Sequence, residues 1–241
     1  MKFVNVFGLK FTGLTKRTVT EAVDNDIKVI TTVNAEFIVK ANETDDRLKL
    51  IINNTISTFD GQIPYLLARL LTLKKFEKIS GSDIIFDFIN IAKKEKKKIF
   101  ILGGSADSNE KAILNIRKMG CQCFGYSPTL APYPFDHKLN DIILTHIAET
   151  KPEIVLVCFG AIKQEYWIQD NLSYLKKLGI THIYGAGGTV DFISGKIQRA
   201  PKILQLIGLE GIYRFIQEPN LFRFKRLLLS LKVFKYIFIK S

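Results

Sequence analysis

The feature that most constrains this chain is the segment from Lys151 to Lys202, where one pattern occurs twice. An apolar run, Ile154-Val155-Leu156-Val157-Cys158-Phe159, gives way to Gly160-Ala161-Ile162-Lys163-Gln164-Glu165 and then to Tyr166-Trp167-Ile168. After a helix-length interval, Ile183-Tyr184 gives way to Gly185-Ala186-Gly187-Gly188-Thr189-Val190-Asp191-Phe192. A short, unbroken apolar run bounded by small residues reads as a buried strand, and the residues just after it read as a turn and a helix start. A helix start offers N–H groups and a positive dipole end to an anion. Two such turns in succession, with Gly195-Lys196-Ile197-Gln198-Arg199-Ala200-Pro201-Lys202 closing the segment, predict a pocket for phosphate.

The same alternation runs upstream. Phe3 to Phe11 predicts one or two short strands, Thr15 to Asp24 a helix capped by Thr15, and Ile27 to Val33 a strand running into a helix start at Asn34. A helix is expected over Asp45–Ile52 and a strand over Thr55–Phe59, ending at Asp60-Gly61. Ile63 to Leu73 reads as an apolar helix with Arg69 as its only charge. Helices over Ile84–Lys97, Asn109–Met119 and Leu139–Thr150 alternate with strands over Lys98–Leu102, ended by Gly103-Gly104-Ser105, and Cys121–Gly125. Sustained alternation predicts an α/β fold with a mostly parallel sheet and helices on both faces. Ligands of such sheets bind at the carboxyl ends of the strands, where Asn34, Asp60, Gly103, Gly160 and Gly187 fall.

From Gly208 the texture changes, so the reading divides the chain into an α/β domain over 1–207 and a helical, basic appendage over 208–241. The appendage holds seven cationic residues (Arg214, Arg223, Lys225, Arg226, Lys232, Lys235, Lys240) against Glu210 and Glu218. On a helix, Phe224, Leu227, Leu228, Leu231, Phe234 and Phe238 follow spacings of three and four and form an apolar stripe. Such a helix suits either an anionic membrane surface or packing on the core or a neighbouring subunit.

A formal charge of +12 favours anionic partners. No recognition helix or RNA-binding signature is present, so the reading excludes nucleic acid as the partner. A dinucleotide-dependent oxidoreductase would need Gly-x-Gly-x-x-Gly after the first strand, which Phe7-Gly8-Leu9-Lys10 does not supply. The three cysteines (Cys121, Cys123, Cys158) and three histidines (His137, His146, His182) lack metal-ligand spacing. Asp24-Asn25-Asp26 matches an Asp-x-Asp metal motif, but it precedes its strand and reads as a surface turn. No metal and no cofactor are therefore expected. Odd cysteine usage, an opening that leads straight into a strand, and the lack of 18 unbroken apolar residues point to a cytoplasmic protein without a spanning helix.

Taken together, these residues resemble the WecG/TagA/CpsF glycosyltransferase family. The resemblance runs from Phe7-Gly8 to about Arg226. It rests on Thr32-Val33-Asn34, Asp60-Gly61, Leu102-Gly103-Gly104, Gly160-Ala161-Ile162-Lys163-Gln164-Glu165, Gly187-Gly188-Thr189-Val190-Asp191-Phe192, Lys196 to Pro201, and Leu209 to Pro219. Each motif alone is weak; their order and spacing are specific. The resemblance implies a Rossmann-like enzyme that moves a sugar, of the N-acetylmannosamine type or another hexose, from a UDP-sugar to an acceptor on undecaprenyl diphosphate. The implied reaction inverts the anomeric centre without metal, at the inner face of the membrane, in cell-surface polysaccharide synthesis; a homo-oligomer is left open. The basic appendage would hold the enzyme at the membrane and help to close the site. Two positions depart from the pattern: Ile162 stands where the family often has proline, and Lys78 where it often has arginine. The stretch Gln62-Ile63-Pro64-Tyr65 also differs from the commonest forms.

An inverting transfer needs a base for the acceptor hydroxyl, and Asp60 at a strand end is the candidate. The same Asp-Gly pair suits a simple turn. Thr32 and Asn34 offer neutral groups to sugar hydroxyls, or a helix cap. Leaving-group charge would fall to helix N-termini with Lys78, Lys163, Gln164 and Arg199, while Glu165 orients Lys163 or favours the helix start. Gly103, Gly104, Gly187 and Gly188 would contact the nucleotide or only make turns, and Asp191 would bind ribose or uracil or cap its helix. Arg214, Arg223 and Arg226 would neutralise diphosphates or meet the membrane. Trp167 reads as core or interface. The alternative function is a basic nucleotide- or nucleic-acid-binding α/β protein without transferase activity.

Overall fold

The computed structural model describes residues 2–23, 26–217, 219 and 221–238; the side chains of Arg214, Phe222, Arg223, Arg226 and Phe238 lie outside what it describes. The fold is α/β and Rossmann-like, built on a mostly parallel sheet of six strands. Two short strands, β1 (Val4–Val6) and β2 (Leu9–Phe11), form a separate antiparallel hairpin. Its two-residue turn is Phe7-Gly8, both at positive φ, 58° and 68°. That is the backbone twist two-residue hairpins require.

The sheet consists of β3 (Lys28–Val33), β4 (Ile56–Phe59), β5 (Lys98–Gly103), β6 (Gln122–Tyr126), β7 (Ile154–Cys158) and β8 (His182–Gly185), in the order β4-β3-β8-β7-β5-β6. The chain divides into two compact units. Residues 20–30 and 81–197 make one, and residues 1–19, 31–80 and 198–241 make the other.

In the unit built on residues 81–197, β5, β6, β7, β8 and the start of β3 pair in parallel. Alternation decides which face each residue serves. Phe100, Leu102, Val155, Val157 and Ile183 pack with Ile143 and Ile147 of α7 (His137–Thr150) and with Trp167, Ile168 and Leu175 of α8 (Lys163–Lys177). Their neighbour Tyr184 turns to the other face, where it stacks on Phe88 of α5 (Gly81–Glu95) at 5.6 Å and donates to the Gly81 carbonyl. Helices therefore cover both faces, as the unbroken apolar runs of β5 and β7 demand. Trp167 is fully buried, and its indole N–H donates to Asn140 Oδ1 at 2.8 Å, which makes it core.

In the other unit, α2 (Ala35–Glu43) starts at the helix start the sequence placed at Asn34, and α3 (Asp46–Asn54) starts one residue after the expected Asp45, which is its cap: the Asn34 and Asp45 side chains accept from the N–H groups of Phe37 and Leu48. α4 (Gln62–Thr72) begins directly after Gly61. After α9 (Thr189–Ile193) come α10 (Lys202–Leu206), α11 (Glu210–Gln217) and α12 (Leu221–Leu231).

Two expectations change. The helix predicted over Thr15–Asp24 shrinks to α1 (Lys16–Thr20), because Val23 bridges Asp26 instead. Of the Asp-x-Asp match, Asp24 and Asn25 lie outside the described residues; Asp26 accepts from the Ile27 N–H at 2.8 Å and pairs with Lys176 at 3.0 Å. The single apolar stripe of the tail is also broken. α12 ends at Leu231, and the 3-10 segment Lys232–Phe238 buries Val233 and Tyr236 while leaving Phe234 exposed. Lys232 and Lys235 reach Glu43 of α2 at 3.4 and 3.5 Å. The tail thus spends part of its apolar surface on its own unit. No helix among the described residues is long and apolar enough to cross a membrane.

Candidate active site

In the unit built on residues 81–197, three adjacent parallel strands end in small residues: β5 at Gly103, β7 before Gly160, and β8 at Gly185. α6 (Ala106–Lys118), α8 and α9 start just beyond them. Gly103 and Gly104 have φ of +91° and +82°, and a methyl at either would sit within 3 Å of Phe159 or Val190. The Gly104 N–H donates to the Cys158 carbonyl at 3.1 Å. These glycines therefore set the close crossing of β5 and β7. Ser105 caps α6 by accepting from the Ser108 N–H, and the Ser108 hydroxyl donates to Asp191 Oδ1 at 2.8 Å. Asp191 is half-buried in the first turn of α9, with Lys196 at 3.9 Å.

Gln164 and Glu165 form the most constrained part of the site. Both side chains are buried, 4% and 3% exposed. Glu165 Oε2 accepts from the Ile162 N–H at 2.7 Å, the return half of a capping box, and Glu165 Oε1 accepts from Gln164 Nε2 at 2.8 Å. Gln164 Oε1 accepts from the Gly187 N–H at 3.1 Å. The carboxylate thus fixes which end of the Gln164 amide faces Gly187. Ile162 is held at φ +72°, a strained conformation for a β-branched residue that costs about 1 kcal/mol or more. Proline, the residue the resembling family often carries there, has φ locked near about −65° and could not adopt this path.

Lys163 turns away from this network: its ammonium donates to the Ala131 carbonyl at 2.9 Å and lies 5.7 Å from the Phe135 ring centre. Sequence reasoning missed three partners here. One is Gly185, where a Cβ would lie 2.2 Å from Glu165 Oε1 and 2.3 Å from Gln164 Nε2. The others are Ser108 and the Ala131 carbonyl. The small-residue run after Tyr184 was the signal for Gly185; the other two are long-range contacts without a local pattern.

In the other unit the strand ends gather a second group. The Asp60 N–H donates to the Val33 carbonyl at 2.9 Å, which sets Asp60 beside the Thr32-Val33-Asn34 end of β3. Across β4, the Ile79 N–H donates to the Phe59 carbonyl and the Thr58 hydroxyl to the Ile79 carbonyl, which brings Lys78 to the same strand end. Gly61 at φ +92° makes the turn into α4. Asn34 uses its side-chain oxygen as the α2 cap. Arg199 is half-buried in the segment that precedes α10. Arg214 lies in α11 and Arg223 and Arg226 in α12, with side chains outside the described residues.

Thiol chemistry does not fit this site. Burial pushes the Cys158 thiol up to about 12, with the Asp191 charge adding to it, and burial likewise pushes Cys123 up to about 12. Neither yields a thiolate near neutral pH. Among the described residues no group of three or more His, Cys, Asp and Glu is placed to hold a metal ion.

The model of the WecG/TagA/CpsF glycosyl transferase family matches residues 4–241. A relative from Bacillus subtilis (strain 168), an N-acetylglucosaminyldiphosphoundecaprenol N-acetyl-beta-D-mannosaminyltransferase, is 30% identical over 202 residues, which cover 83% of this chain and 75% of the relative.

Proposed function

The chain belongs to the WecG/TagA/CpsF family of glycosyl transferases, and from that premise we propose that it transfers a hexose, of the N-acetylmannosamine type, from a UDP-sugar to N-acetylglucosamine on undecaprenyl diphosphate. The observation that carries this reading is that, in each unit, the residues the family resemblance singles out stand at the ends of the parallel strands. There, backbone N–H groups and helix starts suit a diphosphate, and a carboxylate suits a hydroxyl.

In this mechanism the acceptor hydroxyl attacks the anomeric carbon from the face opposite the leaving UDP, and Asp60 takes its proton. The bond to the UDP oxygen breaks with inversion. The charge that develops on UDP is met by the N-termini of α6 and α8, and Lys163, whose ammonium rests on the Ala131 carbonyl, adds positive charge near the start of α8. Lys78 and Arg199 offer cationic charge in the unit that carries Asp60. The Glu165–Gln164–Gly187 network holds the donor side rigid, so that little reorganisation is needed during reaction. Thr32 and Asn34 face sugar hydroxyls. The reaction proceeds without a divalent metal, and activity is expected to survive EDTA; complete loss on chelation, restored by Mg²⁺ or Mn²⁺, would contradict this.

Donor binding tests the site directly. Gln164→Ala and Gly185→Ala are each expected to weaken UDP binding about tenfold, the first by freeing the Gly187 N–H from its partner, the second by driving a Cβ into Glu165 Oε1 and Gln164 Nε2 and displacing the same network. Lys163→Ala should weaken it as well, by releasing the Ala131 loop and removing a charge. Calorimetric titration with UDP reads all three, and unchanged curves would place this network outside the donor pocket. The enzyme works at the cytoplasmic face of the membrane, and Arg214, Arg223 and Arg226 serve the diphosphates or the lipid surface.

A further inference from the structure

α4 is packed in the reverse of the usual sense. Its small and rigid residues, Pro64 and Ala68, are buried, whereas Leu66, Leu70 and Leu73 are 51%, 70% and 87% exposed. Leu66 and Leu70, spaced i, i+4, share one outward face of the helix, and Leu73 follows at its left-handed C-cap, exposed as well. α10, in the same unit, buries none of its residues and exposes Ile203 and Leu206. The turn after α10 adjoins the start of α4 within one unit: a Cβ added to Gly208 would lie 3.3 Å from Ile63 and 3.7 Å from Gln62. Exposed apolar side chains gathered on neighbouring elements mark an interaction surface.

Charge selects the partner. From Gly61 to Phe76 there is no acidic residue, while Arg69, Lys74 and Lys75 are exposed beside the leucines and Lys202 opens α10. A second copy docking through the same face would set these cations against their own counterparts, because a two-fold contact pairs like patches. An anionic bilayer takes both parts: leucines enter the acyl boundary and the cations meet lipid phosphates. We propose that the α4–α10 face is a membrane-contact surface, separate from the tail, that lies flat in the interface of an anionic bilayer. It rests on the proposed function in one respect: α4 comes directly after Asp60-Gly61, so a lipid-linked acceptor would reach the proposed base from this surface.

Vesicle co-sedimentation of the full chain tests the surface without turnover. The wild type, Leu70→Gln/Leu73→Gln and Lys74→Gln/Lys75→Gln are compared on phosphatidylglycerol–phosphatidylcholine vesicles and on phosphatidylcholine alone. All four positions are exposed, so both variants should keep the wild-type far-UV spectrum and the wild-type turnover on a short-chain, soluble acceptor analogue. The leucine pair should bind anionic vesicles about tenfold more weakly. The lysine pair should lose most of the preference for the anionic vesicles. Wild-type vesicle binding by both variants would overturn the proposal. So would a wild-type chain that ignores vesicles and self-associates in sedimentation velocity until the leucines are replaced. Absence of turnover in the wild type would strike at the transferase reading alone and leave the vesicle result to decide this surface.

Discussion

Asp60→Asn is expected to lower turnover by about 100-fold or more, the scale of general-base catalysis, while the UDP titration stays as in the wild type. The substitution keeps size and hydrogen-bonding reach but removes the basic oxygen. The backbone there is fixed independently of the side chain: the Asp60 N–H is bound to the Val33 carbonyl, and Gly61 at φ +92° carries the turn. The loss should therefore fall on the chemical step, visible in single-turnover kinetics with saturating donor. Near-normal turnover would remove Asp60 from the role of base. A matching loss of UDP affinity would make it a binding residue instead.

The second large effect is on stability in acid. His182 is buried on β8 with its ring 5.2 Å from Phe88 and its Nδ1 2.9 Å from the Thr181 hydroxyl. Burial, reinforced by the charges of Lys28 and Lys97, brings its pKa down from 6.5 to about 4. The folded chain thus resists a proton that the unfolded chain accepts. Stability is fully present above pH 6.5 and falls as pH drops through the interval to about 4, by roughly 3 kcal/mol in total from this one group. Urea unfolding at steps between pH 7 and 4 measures the slope. His182→Gln should be less stable at pH 7 but lose distinctly less between pH 6.5 and 5, above the range where carboxylates titrate. Parallel slopes in the two proteins would show that His182 is not the group responsible.

The fold was legible because its sheet is central and parallel. β5 and β7 are buried on both sides, so their apolar runs are unbroken and the glycines after them mark where the chain turns back. The same logic found Asp60, Gly103 and Gly187 at strand ends, and the cap Asn34 was visible as local chemistry. What escaped depends on partners distant in sequence. Lys163 is a cation after a small-residue turn, and nothing local tells that Ala131, 32 residues earlier, takes its ammonium. Gly185 is one glycine among several in its run until Gln164 and Glu165 are seen to fill the space a Cβ would need. The tail misled because helical spacing continued through Phe234 to Phe238, whereas burial of Val233 and Tyr236 turns the chain into a 3-10 segment after Leu231. The leucine stripe of α4 was read correctly as an apolar helix, but composition alone could not tell an inward face from an outward one.

The most direct test of the central claim is a UDP-release assay across UDP-sugars, with and without a soluble lipid-diphosphate N-acetylglucosamine analogue. The account predicts release from a single UDP-hexose, dependent on the acceptor, insensitive to EDTA and nearly abolished by Asp60→Asn. Absence of acceptor-dependent release with every UDP-sugar, in a folded chain that binds UDP, would contradict it.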